Sequence, residues 1–259
     1  MNYQTINVER QDSVCFLQID RPEAGNTISS QLVAECHDAL DLCEESATVV
    51  VLSGTPEVFC MGADFKAIAG ATHDTHEQAD LPGPLYDLWM RMATGPYVTV
   101  SHVRGKANAG GVGFVAASDV VLSDETAQFS LSELLFGLYP ACVLPFLIRR
   151  IGFQKAHYLT LLAQPVAAKQ ALEIGLVDAV EPSSDVLLRR HLQRLRRLSK
   201  SAIRRYKSYM SGLGAPLREQ KSPAVSANQE MFADGGNLRA ITRYVEHGVF
   251  PWENAGGDR

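Results

Sequence analysis

Apolar residues recur along this chain with two different periods. VCFLQI (14–19), TVVVLSG (48–54) and YVTVSHV (97–103) are short, β-branched and nearly continuous, as buried strands are; the first stops at Arg21-Pro22. VVLSD (120–124) and QFSL (128–131) predict two shorter strands. Between residues 29 and 43 the apolar positions Leu32, Val33, Cys36, Ala39, Leu40 and Cys43 follow helical spacing, with Ser30 as the expected cap. Helices are also predicted over 85–93, 110–117, 140–151, 155–163 and 167–174, the last stopping at Gly175. Basic helical sequence runs from Val186 to about Ser211, and residues 226–247 close the chain as a helix. The polar stretch 69–83 carries two histidines and three acids; it predicts a mobile loop with His73 and His76 on the surface. Strands alternating with helices, followed by a helical tail, predict an α/β fold with a helical C-terminal section.

The 259 residues suffice for one large domain or two small ones. Five cysteines, at 15, 36, 43, 60 and 142, form no CxxC pair and no metal-ligand spacing with histidine. They read as reduced thiols of a cytoplasmic protein, and Cys60 as a small buried residue. The opening MNYQTINVERQDSV does not read as a signal peptide, and no run approaches the ~20 apolar residues of a membrane span. A net charge of -5 argues against nucleic-acid binding. The charge is uneven: residues 186–218 hold ten Lys or Arg and no acid. That segment is either a solvated helix face or a docking patch for an acidic partner.

NAGGVGF (108–114) matches the letters of a dinucleotide-binding turn, Gly111-x-Gly113-x-x-Ala116. The pattern alone is weak, and no second mononucleotide half accompanies it. A second glycine turn, VFCMGADF (58–65), also follows a strand. Helix starts carry unpaired N–H groups, and glycine lets backbone approach a ligand closely. Two such groups, one from each turn, could share one oxygen as an oxyanion hole.

Four segments together resemble the crotonase superfamily, the enoyl-CoA hydratase/isomerase family. They are IDRPEAGNTIS (19–29), FCMGADF (59–65), GKANAGGVGF (105–114) and SELLFGLYP (132–140), and the resemblance runs from about Val14 to Trp252. It implies a ββα spiral core over 1–185 and a helical trimerisation section over 186–259, assembled as a homotrimer or hexamer. It places the oxyanion donors at the backbone N–H groups of Ala63 and Gly110. The hydratases of the family use two glutamates for proton traffic. At the first of those positions this chain has Gly113; at the second it has Glu133. One acid would then both take the α-proton and return a proton to the departing hydroxyl. The empty position 113 is expected to make room for a branched or carboxylated substrate. Asp64, Asn108, Tyr86 and Tyr139 are auxiliary candidates: Asp64 to orient its turn, Asn108 beside the donor, and the tyrosines to line the site.

The run 131–161 resembles the 3-hydroxy-3-methylglutaryl-ACP dehydratases of polyketide β-branching. That branch implies loss of water to give 3-methylglutaconyl-ACP. The alternatives are the sister 3-methylglutaconyl-ACP decarboxylase, a general coenzyme A hydratase, and a non-catalytic acyl-binding protein. RYVEHGVFPW (243–252) has His247 where coenzyme-binding relatives commonly have Lys. The expected partner is therefore an acyl-carrier protein bearing the acyl thioester on its phosphopantetheine arm. No dissociable cofactor, metal, nucleic acid or membrane is expected.

Overall fold

The computed structural model describes residues 3–70, 81–213 and 217–253. His73 and His76 lie outside the described residues. The expected loop is helical at both flanks, Phe65–Gly70 (α2) and Pro82–Thr94 (α3).

Two sheets organise the described residues. The first runs β1-β2-β3-β5-β7-β10: Ile6–Gln11, Val14–Ile19, Val49–Ser53, Val98–Val103, Val120–Ser123 and Ala179–Val180. The second runs β4-β6-β8-β9: Val58–Cys60, Lys106–Asn108, Gln128–Ser130 and Val166–Ala167. β1 pairs antiparallel with β2, and β9 with β8; the other neighbours are parallel. The chain visits the sheets in turn, β3 then β4, β5 then β6, β7 then β8. Each pair leads into a helical segment: α2, α4 (Gly110–Ala117), and a 3-10 turn at Glu133–Phe136. This is a ββα spiral of three turns. Its consequence for function is geometric. β4, β6 and β8 are parallel neighbours, with Cys60 beside Ala107 and Ala107 beside Phe129. Adjacent strands lie about 4.8 Å apart, so the segments leaving their carboxyl ends must meet.

The apolar strand runs reflect burial on both faces. Val50 and Leu52 of β3 join the main core with α1 (Ser30–Ser46), while Val49 and Val51 face Leu187, Leu188 and Leu192 of the later helix Ser184–Leu195. The cap of α1 is Ser29, not Ser30: its hydroxyl accepts the Leu32 N–H. The helix expected from Pro140 begins at Leu144. The closing helix is two helices, Leu217–Ala233 and Gly235–His247. They break at Asp234, whose carboxylate caps Gly236 and Asn237. The second lies on α2, where Phe136 stands 5.2 Å from Phe65 and 5.1 Å from Tyr244.

The basic segment spans Ser184–Leu195 and Lys200–Leu213. Lys207 turns inward, bonding Asp119 at 2.5 Å and the Met92 and Tyr97 carbonyls. Lys200 caps the carbonyls of Cys43 and Ala47. Arg189, Arg194, Arg196, Arg197 and Arg205 are exposed and make no ion pair among the described residues.

Removing Asp119 strands a buried ammonium. Asp119→Ala is expected to lower stability by about 3–5 kcal/mol in urea unfolding, and a change below about 1 kcal/mol contradicts the pairing.

Candidate active site

Each of the three converging segments begins within three residues of its strand end. The first is Met61-Gly62-Ala63-Asp64 after β4. Gly62 has φ +81°, and a Cβ there would lie 2.8 Å from the Ala109 Cβ and 3.0 Å from the Gly110 nitrogen. The two turns therefore touch at this glycine. Asp64 holds the first turn. Its carboxylate accepts the Thr27 hydroxyl and the Ala67 N–H, each at 3.0 Å, with Arg21 at 3.8 Å. Ile28 N–H binds the Gly62 carbonyl at 2.8 Å. Asn26, buried in the RP…N segment, binds Arg21 N–H and the Val58 carbonyl, both at 2.8 Å.

The second turn places Ala109 at φ 49°, ψ -119° as the residue before α4. Such a conformation for a non-glycine residue costs on the order of 1–3 kcal/mol. It points Gly110 at the start of the helix. The glycines of NAGGVGF pack against protein, not phosphate: a Cβ at Gly111 would lie 2.2 Å from the Cys60 carbonyl oxygen. Neither Ala63 N–H nor Gly110 N–H donates a hydrogen bond among the described residues. The structure thus brings two free amides together in adjacent turns.

Asn108 joins all three segments. Its amide nitrogen donates to the Met61 carbonyl at 3.5 Å, and its oxygen accepts from Ser130 at 2.7 Å and Ser132 at 3.1 Å. Ser132 precedes Glu133, the first residue of the third segment. One carboxylate oxygen of Glu133 is buried without a partner among the described residues. Burial raises its pKa from 4.5 to about 7. A carboxyl with that pKa serves as base and as acid at neutral pH.

The auxiliary candidates divide. Asp64 and Asn108 are committed to holding the turns. Tyr86 is fully buried and its hydroxyl donates to the Leu217 carbonyl at 2.7 Å, so it is structural and not available to a substrate. Tyr139 is exposed, with no hydroxyl partner among the described residues, and nothing in the geometry gives it a role. Position 113 is the main correction. A Cβ at Gly113 would lie 2.3 Å from Cζ2 of Trp89, so the missing side chain leaves no room; the indole fills it. Trp89, Ser130 and Ser132 went unnoticed because their roles depend on which elements meet. Cys60 is inert: burial pushes its thiol up to about 12.

The family model for enoyl-CoA hydratase/isomerase matches residues 9–255. The Bacillus subtilis bacillaene synthase dehydratase PksH is 58% identical over 255 residues, covering 98% of each chain. The crystal structure of the B. subtilis polyketide biosynthesis enoyl-CoA hydratase PksH superposes with a TM-score of 0.91 at 57% identity, covering 96% of this chain and 100% of the other. The 2,3-dehydroadipyl-CoA hydratase of Escherichia coli is 28% identical over 250 residues, 93% of this chain and 92% of that one.

Gly62→Ala strains a positive-φ position and drives the turns apart. It is expected to lower stability by about 1–3 kcal/mol and to reduce acyl-thioester turnover more than tenfold; unchanged turnover contradicts the close approach.

The raised pKa of Glu133 has a stability consequence. The folded protein keeps a proton that the unfolded chain releases above pH about 4.5, so stability falls as pH rises and levels off above about 7. Glu133→Gln does not titrate there. Its stability is expected to exceed the parent's by on the order of 1–3 kcal/mol at pH 8 relative to the difference at pH 4. A difference independent of pH contradicts burial of the acid.

Proposed function

This chain belongs to the enoyl-CoA hydratase/isomerase family, and we propose that it removes water from a carrier-bound 3-hydroxyacyl thioester in polyketide assembly, specifically 3-hydroxy-3-methylglutaryl-ACP to 3-methylglutaconyl-ACP. Within the family it is an enoyl-CoA hydratase-like hydro-lyase, and its 58% identity to a dehydratase supports the direction of reaction. The observation that carries the proposal is one buried acid, linked through Ser132 and Asn108 to the turns whose two amides are unpaired among the described residues, with no second carboxylate at position 113.

The steps follow from those groups. The Ala63 and Gly110 N–H groups hold the thioester oxygen, which makes the α-proton removable. The Glu133 carboxylate takes that proton, and the negative charge moves onto the held oxygen. The protonated Glu133 then donates to the β-hydroxyl. The C–O bond breaks, water leaves, and the α,β double bond forms as the enolate collapses. Glu133 returns to its starting charge, so one acid suffices for a syn elimination. The tail helix Gly235–His247 packs on α2, the helix that follows the Ala63 turn.

The carrier rests on charge. The five arginines of the basic segment that make no ion pair among the described residues, three on its helices and two between them, suit an acidic carrier protein. The acyl group is expected to turn over more efficiently on its carrier than on coenzyme A, with a rate constant kcat/KM that falls as salt rises. Equal efficiency at all salt concentrations contradicts a carrier substrate.

Mass spectrometry of carrier protein loaded with 3-hydroxy-3-methylglutarate is expected to show loss of one water on addition of enzyme. Glu133→Gln should slow this on the order of 10²–10⁴-fold. Loss of carbon dioxide in place of water, or an active Gln variant, contradicts the proposal.

A further inference from the structure

Five side-chain polar atoms are buried without a partner among the described residues: Trp89 Nε1, Tyr97 OH, His102 Nε2, Ser123 Oγ and Glu133 Oε2. Glu133 is the acid of the mechanism. Trp89 is used by nothing described so far, yet it stands at the same site. Its Cζ2, Cη2 and Cε2 atoms lie 2.3, 2.5 and 2.8 Å from where a Gly113 Cβ would be, and Cζ2 lies 4.0 Å from the corresponding point at Gly110. The indole therefore spans the first turn of α4, from the oxyanion donor to the position whose side chain is missing. Cε2 is bonded to Nε1, so the N–H lies one bond from the ring atoms seated there.

A buried donor without an acceptor has lost its bond to water and gained none in return, which destabilises the fold. Phe would preserve the ring packing of Trp89 against Phe114 and Phe146, both at 5.8 Å between centroids, without that cost. The N–H is accounted for if a ligand supplies the acceptor. The acyl oxygen is taken by Ala63 and Gly110. The next oxygen along a 3-hydroxyacyl chain is the one on the β-carbon. We infer that the Trp89 indole N–H donates a hydrogen bond to the β-hydroxyl of the substrate, from the space that an acidic side chain at position 113 would need.

This inference rests on the reading of the site as one for 3-hydroxyacyl thioesters. It assigns Trp89 a binding role, with no proton transferred. The β-hydroxyl would be held between a neutral donor and the Glu133 carboxyl, and the indole would also stabilise oxygen as the C–O bond lengthens. A neutral indole has a further effect. An anionic side chain at 113 would repel a substrate bearing its own distal carboxylate; the indole does not.

The test separates this contact from the reaction. Stable amide analogues of 3-hydroxy-3-methylglutaryl-pantetheine and of 3-methylglutaryl-pantetheine differ only in the β-hydroxyl. The parent protein is expected to bind the hydroxylated analogue about 3–10-fold more tightly, the worth of one hydrogen bond. Trp89→Phe, checked for an unchanged unfolding midpoint to within a few degrees, is expected to bind the two alike. In the 15N-labelled parent, the Trp89 indole proton resonance, assigned by its loss in Trp89→Phe, should move downfield with the hydroxylated analogue only. If Trp89→Phe keeps the parent's preference, or the resonance responds equally to both analogues, the inference is overturned. Failure to dehydrate the thioester would instead strike the proposed reaction, because the binding comparison does not depend on turnover.

Discussion

Asn108 is hydrogen-bonded to the backbone of the first turn and to the serine before Glu133 at once, and the site depends on that double attachment. Its nitrogen reaches Met61 and its oxygen reaches Ser132. Parallel neighbours β4, β6 and β8 bring the three segments to one edge, but strand order alone leaves each free to splay. The side-chain amide removes that freedom. Close approach is completed at Gly62, where a side chain would collide with Ala109 and the Gly110 nitrogen. Two amides are left without partners among the described residues, and Ala109 holds a strained conformation beside them. Unpaired donors and local strain in a well-packed core are what a preorganised anion site requires.

The acid is set by a different force. No like-charged neighbour raises the Glu133 pKa; burial does. That is consistent with Gly113 and Trp89, which put a glycine and an aromatic ring where a second carboxylate would otherwise stand. Two carboxylates that close would couple, and their protons would come off as a pair. A single buried carboxyl titrates alone near neutrality and can change roles within one turnover.

The strands from Val14, Val49 and Val98 and helix α4 were legible in the sequence because continuous β-branched runs and a glycine-rich helix start have few alternatives. The family resemblance of four segments pointed to Ala63, Gly110 and Glu133, and the structure brings the segments that hold them to one edge of the second sheet. What periodicity could not show is which elements meet. Gly113 announced an absent side chain, but only the packing of α3 against α4 reveals that Trp89 occupies the space. Lys207 belongs to a basic run, yet its ammonium points inward because Asp119 and two carbonyls receive it. The break at Asp234 was missed, because residues 226–247 read as one helix although an Asp-Gly-Gly triplet stands inside them. Tyr86 shows the converse: a polar residue in a site-lining segment is spent on the Leu217 carbonyl.

The central claim is that two main-chain N–H groups polarise one acyl oxygen. Isotope-edited infrared spectroscopy of a bound thioester carrying a 13C carbonyl label reads this directly, since hydrogen bonding weakens the C=O bond. The account predicts a carbonyl band at lower frequency in the complex than in water. A band at the frequency found in water, or above it, would contradict it.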